Sequence, residues 1–176
     1  AILKGLSEDG GLFVPESIPQ LDVPMDKLAQ MTYQETAYEV MSRFLTDFTE
    51  DELKNCINKA YDSKFDTEKI APLHEADGAY FLELFHGATI AFKDMALQCL
   101  PYFFSASAAQ LREQGKLNNT FLILVATSGD TGKAALEGFR DKDGIKIAVM
   151  YPDGGVSDIQ YKQMATQLGD NVMVWA

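Results

Sequence analysis

Apolar positions change their spacing along the chain near residue 78. Before it they recur at helical intervals or scatter; after it they come in short runs separated by helical stretches. Residues 1–30 carry Gly10-Gly11, Pro15, Pro19 and Pro24, punctuation too dense for a long helix, so this stretch reads as irregular. Thr32 with Glu35 three residues on has the form of a capping box. Behind it, Tyr33, Ala37, Val40, Met41, Phe44 and Leu45 make an apolar stripe. Thr49 with Glu52 repeats the form ahead of Leu53, Cys56, Ile57 and Ala60. Residues 1–78 are therefore expected to be a loop-plus-helix segment without repeats.

Residues 79–176 read differently. Ala79–Phe85 has the look of a strand, ended by His86-Gly87. A helix is expected from near Phe92 to Gln114, kinked or broken where Pro101 removes a backbone donor. Phe121–Ala126 is a continuous apolar run, which predicts a strand covered on both faces. A turn over Thr127–Gly132, a helix over Lys133–Arg140 and a strand over Ile145–Met150 follow. A helix from Asp158 to Leu168 and a strand over Val172–Trp175 complete the alternation. This order predicts an α/β fold of parallel βαβ units, with the 79–85 and 121–126 strands in one sheet. Ligands in such folds sit at the carboxyl ends of strands, which singles out the loops His86–Asp94, Thr127–Gly132 and Pro152–Ser157.

Composition narrows the function. At 176 residues, 47% apolar and 23% charged, the chain can build a sizeable core. Its net charge of −11 makes it a poor partner for nucleic acid or an anionic membrane, both of which need a basic footprint. No apolar run approaches the ~20 residues of a membrane span, and the start has no signal-peptide pattern. Cys56 and Cys99 stand far apart with no CxxC or Cys/His spacing. That argues against a disulfide framework or a metal site and fits a reducing, cytoplasmic setting.

Two loops hold candidate chemistry. Thr127-Ser128-Gly129-Asp130-Thr131-Gly132 follows a strand and opens a helix, where unpaired N–H groups and the positive dipole end suit a carboxylate or phosphate. A βα turn whose Ser and Asp only cap the helix fits the same residues. A nucleotide P-loop does not, since it needs glycine where Thr127 stands and Ser or Thr where Ala134 stands. No GxGxxG follows any strand either. In the other loop, Lys93 sits among Ile90, Ala91, Phe92, Met95 and Ala96. Apolar neighbours and a helix start both disfavour its ammonium form, as a nucleophile or base requires. The competing reading is an ordinary surface lysine.

The string Leu84-Phe85-His86-Gly87-Ala88-Thr89-x-Ala91-Phe92-Lys93-Asp94, with Glu83 upstream, resembles the lysine signature of the fold-type II pyridoxal-phosphate (PLP) enzymes, in the form found in the threonine synthase family. Ala126–Gly132 resembles the same family's Ser-Gly-Asn-Thr-Gly loop, with Asp130 in place of asparagine. Two further segments agree, Leu3-Lys4-Gly5-Leu6 with Asp9–Glu16, and Val156–Gln160 with Gln163-Met164. The resemblance implies PLP carried by Lys93, which then acts as acid–base. It implies that Thr127, Ser128, Gly129 and Thr131 hold the substrate carboxylate, and that Asp130 lies beside the cofactor's phenolic oxygen with an altered pKa. His86, Thr89, Ser157, Gln160 and Lys162 are weaker candidates, the last three for a substrate phosphate. The implied reaction converts O-phosphohomoserine and water to threonine and phosphate. Alternatives are a related lyase on another phosphorylated hydroxy-amino acid, or a silent metabolite-binding domain. Family members continue well past this length, so an incomplete chain with exposed apolar surface is expected, divided at 1–78 and 79–176.

Overall fold

A computed structural model describes residues 1–176. The irregular start contains one short helix, α1 (Met25–Leu28), and a bridge between Leu6 and Leu12. Both capping boxes form. Thr32 and Glu35 open α2 (Tyr33–Met41), and Thr49 and Glu52 open α3 (Glu50–Ala60), each pair exchanging side-chain and backbone bonds. The hairpin β1 (Leu73–Ala76) and β2 (Ala79–Leu82) comes next, paired antiparallel. After α4 (Asp94–Leu97) and α5 (Leu100–Glu113) comes a regular alternation: β3 (Phe121–Ala126), α6 (Asp130–Phe139), β4 (Ile145–Met150), α7 (Asp158–Ala165) and β5 (Val172–Trp175). The last three strands form a parallel sheet in the order β3-β4-β5.

Three expectations need correcting. The 79–85 strand is not part of the parallel sheet: β2 stops at Leu82 and pairs only with β1, a strand that apolar spacing did not signal. Its alternation in Leu73–Leu82 is weak because neither strand buries a face; Leu73, Tyr80, Phe81 and Leu82 are all exposed. The expected long helix breaks at Gln98-Cys99, so that Pro101 falls in the first turn of α5, where its missing N–H costs nothing. Finally, β3 is covered on one face only. Its buried-side residues alternate with Leu122 and Leu124, which are 58% and 60% exposed. The sheet's other β-strand boundaries fall where the apolar runs put them, but α6 begins at Asp130, three residues earlier than its apolar pattern, and α7 ends at Ala165.

Two apolar clusters hold these elements. One joins α3 to the start of α5 through Leu53, Cys56, Ile57, Ala60, Cys99 and Phe103. The other lies between α6 and the sheet, with Leu136, Phe139, Ile147, Val149 and Met164 at its centre and Phe104 added from α5. Adjacent residues of one helix, Phe103 and Phe104, thus enter different clusters, making α5 the wall between them. Helix α4 then meets α6 closely, because Gly138 leaves no side chain against the Leu97 carbonyl: a Cβ there would lie 2.1 Å from that oxygen. Gly138→Ala must therefore push α4 off α6. A loss of about 1–3 kcal/mol in urea unfolding is expected, whereas an unaltered midpoint would show that the two helices are not in such contact.

Candidate functional site

The Lys93 loop is built around a buried carboxylate. Asp94, fully buried, accepts from the Thr89 N–H at 2.8 Å, the Thr89 hydroxyl at 2.7 Å and the Gln98 amide at 3.3 Å. These bonds fold residues 87–94 into a fixed turn in which Ile90, a β-branched residue, takes a φ of +63°. Lys93 is the residue preceding α4, half-buried, with its Nζ 4.2 Å from the centre of the Phe92 ring. Its amine makes no hydrogen bond and no ion pair, although acidic residues outnumber basic ones by 26 to 15. Ile90 and Phe92 are 70% and 61% exposed, so the apolar enclosure expected around the lysine is open on that side. Thr89 is occupied by Asp94 and does not project toward the lysine's amine as a free hydroxyl.

His86 closes the other end of this loop. Its Nε2 meets Glu83 at 2.8 Å and its Nδ1 meets Asp66 at 2.5 Å, while its backbone oxygen accepts from the Asp66 N–H. The ring is spent on tying the strand exit to the segment after α3. The bonds to Glu83 and then Asp66 hold the imidazolium and raise its pKa above the ordinary 6.5. Sequence reasoning had no means to find Asp66, twenty residues away.

The second loop joins β3 to α6. Gly129 precedes α6 with φ +144° and ψ −92°, a conformation closed to side-chain-bearing residues. The Thr127 hydroxyl accepts from the N–H groups of Gly129 and Gly132, both at 3.1 Å, and so shapes the turn from inside. The N–H groups of Ser128, Asp130 and Thr131 have no partner in the chain. Three open donors at the start of a ten-residue helix are the geometry that binding an anion requires. Asp130 accepts from the Gln160 amide at 2.9 Å. Ser157 and Gln160 form a capping box on α7, and Lys162 is exposed on that helix. A cavity of about 550 Å³ lies between α2 and α3 near Tyr38 and Lys54, away from both loops. One of about 500 Å³ along β3 is mostly apolar and reaches Thr131.

Residues 1–61 match the family described as threonine synthase N terminus. The threonine synthase of Eremothecium gossypii is 37% identical over an alignment that takes in 100% of this chain and 36% of that protein. The chain is similar throughout to the N-terminal portion of threonine synthases. The fold agrees. The crystal structure of threonine synthase from yeast superposes with a TM-score of 0.88 at 34% identity, over 99% of this chain and 36% of that one. The threonine synthase of Brucella melitensis, whose structure is described as PLP-bound, gives 0.84 at 33% identity, over 98% and 36%. The chain thus spans about a third of the length of the threonine synthases it matches. No helix in it is long and apolar enough to cross a membrane.

The His86 tie should depend on pH in a fixed direction. A histidine whose folded pKa is raised contributes fully below the unfolded value, near 6.5, and loses its contribution as pH rises through the folded value. In an NMR titration the His86 ring should therefore change charge above pH 6.5, and Glu83→Gln and Asp66→Asn should each lower that midpoint. A midpoint at or below 6.5 in the parent would contradict the two-carboxylate clamp.

Proposed function

We propose that this chain supplies the lysine and the anion seat of a PLP-dependent carbon–oxygen lyase, a threonine synthase converting O-phosphohomoserine and water to threonine and phosphate. The observation carrying the reading is an unpaired lysine on a locked loop, in a strongly acidic chain matched end to end by threonine synthases. The residues present suit PLP on chemical grounds. An aldehyde cofactor needs an amine that no carboxylate has already claimed, and Lys93 is such an amine. Its phenolic oxygen needs a polar neighbour, and Asp130 is exposed at the start of α6. A setting that keeps thiols reduced, such as the cytoplasm, suits the buried free cysteines Cys56 and Cys99.

When bound, PLP supplies an electron sink for negative charge developing on the substrate's carbon chain. Lys93 Nζ would hold the cofactor and would serve as the base that moves protons at the substrate's Cα and Cβ. The open N–H groups of Ser128 and Thr131, with the hydroxyls of the same residues, bind the substrate carboxylate at the positive end of α6. Gly129 takes the turn, at φ +144°, that leaves these donors pointing outward, and its missing side chain makes room for the Gln160 amide. Thr127 keeps the turn in shape through its two accepted bonds and thereby aims the donors. Asp130, held by the Gln160 amide, would be the polar neighbour of the cofactor's phenolic oxygen. Ser157, Gln160 and Lys162 stand on the neighbouring helix, of which Lys162 is the residue left free to meet a phosphate.

Two outcomes test this in the full-length protein. Lys93→Ala should abolish phosphate release from O-phosphohomoserine while leaving the thermal midpoint unchanged, and borohydride should no longer fix PLP to the chain. Turnover near the parent rate, or fixation at another lysine, would remove Lys93 from the role. Separately, Ser128→Ala and Thr131→Ala should weaken substrate binding by about ten- to a hundredfold, the worth of one bond to a charged group. Cofactor binding should change far less. Unaltered KM and kcat in both variants would reduce the loop to a helix cap.

A further inference from the structure

The α6–α7 interface is unusual in being stitched by two glutamines with a methionine between them. Gln160, Met164 and Gln167 lie on one face of the chain through α7, at helical spacing. Met164 is fully buried and packs under Gly132. Gln167 accepts from Lys133 and donates to Glu137 at 3.1 Å, near the far end of α6. Gln160 does the equivalent at the near end. Its Oε1 accepts from the Ser157 N–H at 3.0 Å, and its Nε2 donates to Asp130 Oδ1 at 2.9 Å. The amide also fills the space above Gly129: a Cβ built there would fall 2.4 Å from Gln160 Cδ.

We infer that Gln160 is a positioning residue for the α6 anion loop, holding Asp130 in one orientation and roofing Gly129, and is not itself a phosphate ligand. Both ends of its amide are committed, and the commitments fix which end is which. Ser157 offers an N–H, so oxygen must face it; Asp130 offers a carboxylate, so the NH₂ must face that. Only an amide satisfies both. Glutamate would serve the capping box equally well, being the usual residue at that position, but would set a second carboxylate against Asp130. The cap alone therefore does not require glutamine; the bond to Asp130 does. This assigns to Gln160 the task of joining the loop after β4 to the loop after β3, so that the donors of Ser128 and Thr131 stay aimed whether or not a ligand is present. Its importance to catalysis rests on the proposed role of Asp130, but its action on the loop does not.

The experiment is amide hydrogen exchange, followed by mass spectrometry on the full-length protein without PLP. In Gln160→Glu, peptides covering 126–132 should exchange about tenfold faster, while peptides covering α7 keep the parent rate because the cap survives. Adding Asp130→Asn to that variant reverses the polarity of the bond, the α6 side now donating from an amide to a carboxylate on α7, and should restore slow exchange. Asp130→Ala alone leaves Gln160 and its cap intact, and should loosen the same peptides. Parent-like exchange in Gln160→Glu or in Asp130→Ala would overturn the inference, as would failure of the double variant to recover. Because no cofactor is present, such a result would leave the borohydride test of Lys93 untouched.

Discussion

Burying the Asp94 carboxylate is the constraint on which the lysine loop depends. A carboxylate withdrawn from water is tolerated only where donors replace the lost solvent. Here they come from Thr89, twice, and from Gln98, on either side of it in sequence. To satisfy the charge, the chain must turn back on itself between Gly87 and Asp94. The turn forces Ile90 to a positive φ at a cost of about 1–3 kcal/mol, which the surrounding bonds sustain. Lys93 is the residue adjacent to that anchor, so its backbone cannot move unless Asp94 is exposed or its donors released. The lysine's precision comes from its neighbour's burial, not from contacts of its own.

Seen across both loops, polar groups divide into those spent on shape and those left open. Asp94, Thr89, Gln98, His86, Glu83 and Thr127 are all engaged within the chain. The Lys93 amine and the N–H groups of Ser128, Asp130 and Thr131 are not. Spent and open groups alternate closely along the sequence, one positioning the next. Such an arrangement lets a site be stiff before anything binds, which lowers the ordering cost of binding. It also explains why Thr127 and Thr89, chemically able to touch a ligand, are held instead by their own loops.

Much of this was legible in the chain itself, and the omissions have physical causes. Capping boxes are local, their partners three residues apart, so both helix starts could be read directly. The strands of the parallel sheet announce themselves because burial on the helix-covered face demands β-branched and apolar side chains. The β1–β2 hairpin was missed since it buries nothing. Its signal was the turn, Asp77-Gly78, whose φ values of +52° and +74° are those such a dipeptide favours. Periodicity could not tell which sheet β2 joins, because the pairing register is set by distant partners. Nor could it show that β3 lies at a sheet edge with Leu122 and Leu124 exposed: a continuous apolar run records hydrophobicity on both faces, not what covers them. The bonds from His86 to Asp66 and from Gln160 to Asp130 cross 20 and 30 residues and exist only once the fold does.

The placement of α4 shows how the fold reaches the chemistry. This helix has four residues and no capacity to stand alone. It is gripped from both sides. The Tyr61 hydroxyl donates to the Met95 carbonyl at 2.7 Å, and Met95 packs against the cluster built on α3. Leu97 packs against the other cluster, its carbonyl pressed to Gly138 of α6. Lys93 is thus fixed between two cores that share the wall of α5 and Ile2, while the loop that opens α6 belongs to the second core. A shift of one core against the other would move the lysine relative to that loop without unfolding either. The closeness of Gly138 to Leu97 opposes that shift, because it binds the short helix that carries the lysine to the helix that opens with the anion loop.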